Sequence, residues 1–174
     1  VMVEVKHYKH NKVAQFLYDY CLKGSKFLYK YPVIYWILQF TWGIIYTIIG
    51  SIIGFFAWMI GGEGSSFHRG YVIMIGDNWG GLELGLGGLV AYNMGEEWTD
   101  HCKKHEMGHC YQNALLGPFA IFLVMIPSAV RYWYQRIRTK KGLPNKDYES
   151  IWFEGCATEI GETLYGYLKE ETNK

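Results

Sequence analysis

Residues 96–116 read EEWTDHCKKHEMGHCYQNALL, and the rest of the chain is best read outward from them. The acidic Glu96, Glu97 and Asp100 suit the positive end of a helix dipole, and Asp100 and Lys104 stand four apart. Gly117-Pro118 ends or sharply bends this helix, because proline lacks the amide proton that would continue it. His105 and His109 are also four apart, so their rings share one face about 6 Å apart along the axis, and both can reach one metal ion. Glu106 projects beside that ion instead of onto it, where a general base takes a proton from water. The spacing HExxH therefore predicts Zn2+ bound by His105 and His109, with Glu106 as the catalytic base. His101 lies on the same stripe, but about 12 Å separates it from His109, too far for all three to bind one ion. Gly108 costs the helix about 0.5 to 1 kcal/mol relative to alanine, which suggests that another element approaches closely there.

Upstream, Gly61 to Gly70 reads as a turn region. Tyr71 to Ile75, Leu82 to Leu86 and Leu89 to Tyr92 read as short strands of a small antiparallel sheet with glycine turns between them. The HExxH spacing resembles that of the zincins, whose upstream edge strand holds an extended peptide by backbone pairing, and the resemblance implies that role for Leu82 to Leu86 or Leu89 to Tyr92. Further upstream, residues 33–60 (VIYWILQFTWGIIYTIIGSIIGFFAWMI) hold 28 residues without Asp, Glu, Lys, Arg or His. A helix needs about 20 to cross a bilayer, so this block is expected to be a transmembrane helix. Trp36, Trp42 and Trp58 serve as interfacial anchors, and Gly50 and Gly54 permit close helix contact. Lys23, Lys26 and Lys30 precede the block and only Arg69 closely follows, which puts the N-terminus in the cytoplasm. Residues 1–32 form an amphipathic juxtamembrane segment of lysines and aromatics.

Downstream, the apolar run Ala114 to Val130 is interrupted by Pro118 and Pro127 and reads as buried or half-inserted. Arg131 to Lys141 is a basic, aromatic stretch suited to solvent or lipid headgroups. Asp147 or Ser150 can cap a last helix running to about Glu170. A catalytic zinc wants a third protein ligand. His7, His10 and His68 are poorly placed, whereas Glu154 opens that last helix beside the small Gly155 and Ala157. Glu83, in a strand, is a weaker candidate. The donor that would stabilise an oxyanion stays open among Arg131, Tyr132, Tyr134 and Tyr165.

HExxH followed by a later ExxA(D/T) segment resembles the gluzincin metallopeptidases, especially the membrane-embedded prenyl-protein and heat-shock-type proteases. The resemblance implies Glu154 as third zinc ligand and a peptide or protein substrate. Those families carry Asp four residues after that glutamate, hydrogen-bonded to a zinc histidine. Thr158 stands there in this chain and cannot supply the same charge. The run WGGLELG, HEMGHCYQ, LLGP, IPSAVRYWY and WFEGCAT, from Trp79 to Thr158, is also similar to a group of short uncharacterised bacterial membrane proteins. That likeness implies a bacterial cytoplasmic membrane and names no activity. HExGH in an apolar setting is similar, too, to the site-2 intramembrane proteases, with residues 142–147 in the place of their aspartate segment.

Composition narrows the partners. A formal net charge of +1 without a long basic run gives no electrostatic case for nucleic acid. Cys21, Cys102, Cys110 and Cys156 have neither CxxC pairing nor regular spacing, so reduced thiols are expected. The opening Val1-Met2 suggests an alternative start or sequence upstream. The expected architecture is α+β and zincin-like: a small antiparallel sheet, the HExxH helix and a C-terminal ligand helix within residues 61–174, behind a transmembrane helix. The expected function is a membrane-associated zinc metalloprotease. The alternatives are a zinc-binding protein of the same fold without turnover, and an intramembrane protease of the site-2 kind.

Overall fold

The computed structural model describes residues 5–67, 69–76, 79–92 and 95–172; His68 lies outside them. The chain is mostly helical, with a small mixed sheet. Helix α1 (Lys12–Lys30) is capped by the Asn11 side chain, which accepts from the Ala14 amide at 2.9 Å. Helices α2 (Pro32–Phe40) and α3 (Ile44–Met59) follow, then strands β1 (Glu63–Phe67), β2 (Gly70–Met74), β3 (Gly81–Glu83) and β4 (Gly87–Val90). Helix α4 (Glu96–Leu116) carries the HExxH segment, and α5 (Ile126–Lys140) and α6 (Trp152–Thr172) complete the chain.

Two features of the expected architecture are corrected. The sheet, in order β1-β2-β4-β3, is not purely antiparallel, because β2 and β4 run parallel with Tyr71 opposite Gly87 and Met74 opposite Val90. Residues read as a turn, Glu63 to Phe67, form its first strand. The apolar block is likewise not one transmembrane helix. It breaks between Phe40 and Ile44 with a bend of 84°, and no single helix among the described residues is long and apolar enough to cross a membrane.

The break has a physical cause in two buried polar side chains of the block, Gln39 and Thr47. Gln39 is fully buried, with Nε2 2.9 Å from both the Gly85 and Cys110 carbonyls. Its Oε1 accepts from Asn113 Nδ2 at 2.8 Å and from Thr47 Oγ1 at 3.2 Å. A straight helix would carry Thr47 past this knot. The elbow at Thr41-Trp42-Gly43 brings it back, so that Gln39 and Thr47 partner each other. On α3 the inward face is therefore small or polar (Thr47, Gly50, Gly54, Ala57), and Gly50 lets the helix rest on the backbone of Leu84. The outward face is apolar, with Ile45, Ile48, Ile52, Phe55 and Phe56 all exposed.

Helix α4 ends as the sequence indicates, at Gly117 with a positive φ of 56°, and after Phe119 the chain turns by 117° into the segment from Ile121. Trp42 from the first elbow packs on Gly117 and reaches Phe119, so the two bends meet. Helix α4 is otherwise enclosed, with the sheet on one side and α1 and α6 on another. The main core joins α1, α4 and α6 through Cys21, Leu28, Tyr111, Phe153, Cys156 and Ile160. All four cysteines are buried free thiols, as expected.

Candidate metal centre

Helices α4 and α6 cross so closely that side chains cannot stand between them at two points. A Cβ on Gly108 would run into the carbonyl of Ala157, and one on Gly161 into the carbonyl of Lys104. Buried Lys104 ties the pair further through Glu162 on α6 at 3.3 Å and Asp100 at 2.8 Å. This approach carries Glu154, fully buried, to the histidine face of α4. Glu154 Oε2 lies 3.0 Å from His105 Nε2 and 3.2 Å from His109 Nε2, and the two imidazole nitrogens are 3.1 Å apart.

Hydrogen bonding on the far side of each ring fixes what these atoms offer. Gln112 donates its Nε2 protons to the Phe153 carbonyl at 2.9 Å, so its Oε1 accepts from His109 Nδ1–H at 2.8 Å. Thr158 Oγ1 donates to the Glu149 carboxylate at 2.9 Å, so it accepts from His105 Nδ1–H at 2.9 Å. In the neutral tautomers both Nε2 atoms then present lone pairs toward a carboxylate oxygen, and three acceptors face one another. A cation placed among them would satisfy all three. A tetrahedral zinc with bonds of about 2.0 to 2.1 Å sets its ligand atoms about 3.3 Å apart, close to the spacing observed. Buried Glu154 Oε1 has no hydrogen-bond partner. The donor set and its spacing fit zinc.

Without a metal, a proton takes that place. Burial opposes charge on His109, but the contact with Glu154 outweighs it and the ring is pushed up to about 9. Burial alone would lift the Glu154 carboxyl. The two imidazoles outweigh it and hold the group well below the ordinary carboxylate range.

Glu106 stands beside the triad, one residue along from His105. Gly81 on β3 and Gly88 on β4 make room for it, since a Cβ on either would collide with its side chain. Burial raises the Glu106 carboxyl above its usual range, against the pull of both histidines. Strand β3 is an edge of the sheet, and Gly81 brings that edge to the carboxyl of Glu106. The stretch from Leu89, by contrast, belongs to β4 in the sheet interior.

The residues singled out in the sequence fall unevenly. His105, His109 and Glu154 converge, with Glu106 adjacent. His101 is buried but bonded to Glu149 Oε1 at 3.1 Å instead of joining the triad. Glu83 is buried behind it, with Oε1 accepting from the Gly85 amide at 2.7 Å. Arg131 holds the carbonyls of Asp147 and Tyr148, Tyr132 donates to the Trp79 carbonyl, and Tyr165 covers the Lys104 ammonium. Sequence reasoning missed Glu149, Gln112 and Tyr148. Tyr148, whose phenol burial and the nearby Glu154 and Glu106 keep protonated, sits in a short turn where no spacing rule points to it.

Comparison with family models, with curated proteins and with solved structures found no match to this chain.

Proposed function

We propose that this chain is a zinc-dependent hydrolase of peptide bonds working at a membrane surface. The observation that carries the reading is the meeting of His105 Nε2, His109 Nε2 and Glu154 Oε2 within 3.2 Å, with Glu106 beside them. When bound, zinc supplies Lewis acidity, making water a nucleophile near neutral pH and polarising a carbonyl. Glu106, its carboxyl already raised by burial, takes the proton of the attacking water and returns it to the leaving amine. Edge strand β3 offers backbone groups beside Glu106 on which an extended peptide can pair. The Tyr148 phenol, kept protonated by burial and by the nearby Glu154 and Glu106, is one O–H donor close to the site.

Support for the membrane setting comes from the outward faces of α3 and α5. Ile48, Ile52 and Phe56 on one and Val130, Trp133 and Ile137 on the other are all exposed. Apolar side chains gathered on an exposed helix face suit contact with lipid or a partner. The basic residues Arg136, Arg138, Lys140 and Lys141 follow the second patch, a pattern that suits anionic headgroups.

Metal analysis with a peptide-library cleavage assay tests the reading. The wild-type chain binds one zinc and cleaves, His105→Ala and His109→Ala lose the metal, and Glu106→Gln keeps the metal but loses turnover. No zinc on the wild-type protein ends the proposal. Zinc bound with equal biological function in wild type and Glu106→Gln moves it to a binding role without turnover.

A further inference from the structure

The triad explains the far nitrogen of each histidine only as far as its first partner. For His109 that partner is the neutral amide of Gln112. For His105 it is a hydroxyl, and the hydroxyl has a carboxylate behind it. His105 Nδ1–H donates to Thr158 Oγ1 at 2.9 Å, and Thr158 Oγ1–H donates to Glu149 Oε1 at 2.9 Å. Thr158 is almost wholly buried and Glu149 partly so. Water therefore competes poorly for these bonds, and the charge on Glu149 acts through a medium of low dielectric. A hydroxyl has one proton to give, so with a carboxylate as its acceptor the direction of the chain is fixed. We propose that Glu149 is a positioning residue for the metal site, supplying through the Thr158 hydroxyl the negative charge that orients His105 and strengthens its hold on a metal ion.

The inference rests on the zinc reading of the triad. It assigns a role to a carboxylate five residues before the ligand Glu154, on a separate turn (Tyr148–Ser150) whose carbonyls Arg131 clamps at 3.0 and 2.6 Å. That clamp holds the turn so that the hydroxyl reaches the carboxylate, and His101 lies 3.1 Å from the same oxygen without being part of the relay. His101, His105 and Glu149 also lie close enough together to suggest an ion of their own. Thr158 fills the space between them with two directed bonds, and the relay predicts no second metal.

Zinc affinity of the full chain, measured by competition with a chromogenic chelator, reads the relay without reference to turnover. Glu149→Gln and Thr158→Val should each weaken zinc about 10- to 100-fold, the usual cost of losing a partner behind a ligand. Because both changes cut one chain, the double variant should be no weaker than either single one. Thr158→Ser keeps the hydroxyl and should stay within about threefold of wild type, as should His101→Gln, which removes the other partner of Glu149. Independent, additive losses in the double variant overturn the relay, as does a His101→Gln loss equal to that of Glu149→Gln, or two zinc ions per chain. If wild type binds no zinc, the metal reading itself fails. If it binds zinc and Glu149→Gln binds it equally well, only the relay does.

Discussion

Gly108 and Ala157 meet backbone to backbone, with the carbonyl of Ala157 occupying the space that a side chain on residue 108 would need. A backbone carbonyl cannot swing aside as a flexible side chain can. Gly108→Ala should therefore force α4 and α6 apart, costing about 3 kcal/mol and weakening zinc in parallel. Gly166 on the same α6 has nothing within 4 Å of a built Cβ. There the same substitution should stabilise by about 0.5 to 1 kcal/mol. Thermal unfolding of the two variants checks both signs.

Replacing Gln39 with leucine keeps the volume but strips partners from the Gly85 and Cys110 carbonyls and from the Asn113 amide. Leaving such buried groups unpaired should cost about 3 kcal/mol in denaturant unfolding. A loss below about 0.5 kcal/mol would show that the elbow does not depend on this knot.

Burial pushes the Glu83 carboxyl up to about 8, against the pull of His109 and the Gly85 amide. In the unfolded chain the group titrates near 4.5, so between these values the folded, metal-free protein holds the extra proton. Its contribution to stability is complete below pH 4.5, declines as pH rises to 8, and is flat beyond. Glu83→Gln, which cannot ionise, should gain on wild type across that window, reaching on the order of 5 kcal/mol. A stability difference that does not vary between pH 5 and 8 would contradict this.

The side chains of Ile48, Ile52 and Phe56 face away from the core. Changing all three to glutamine should leave the melting temperature and zinc content unchanged while abolishing flotation with vesicles containing anionic lipid. Flotation that survives the triple change would place the contact elsewhere.

Sequence spacing anticipated the meeting of the candidate site residues better than it anticipated the frame. Helix α4 has the bounds its acidic start and Gly117-Pro118 imply, Gly108 marks the close approach it suggested, and Glu154 meets the histidine pair. These features are local, or follow from a single helix face. The elbow after Phe40 was hidden because Gln39 finds its partners at Gly85, Cys110 and Asn113, far along the chain. Without them, an uncharged run of this length follows the bilayer rule. The parallel pairing of β2 with β4 depends on β3 passing to the outer edge, which alternation within a strand does not encode. Glu149 had no helix register to announce it, since it lies in a turn and works through a hydroxyl nine residues on.

The knot around Gln39 has a mechanical corollary. It grips Cys110, the neighbour of His109, and the tip of the hairpin whose first strand borders Glu106. The apolar arm cannot pivot without dragging the histidines and the strand edge with it. On the proposed reading, an arm seated in a membrane surface would carry the candidate site at a height set by its own depth and tilt, like a tool on a rigid bracket. Such a bracket would limit cleavage to segments at one set distance from the surface.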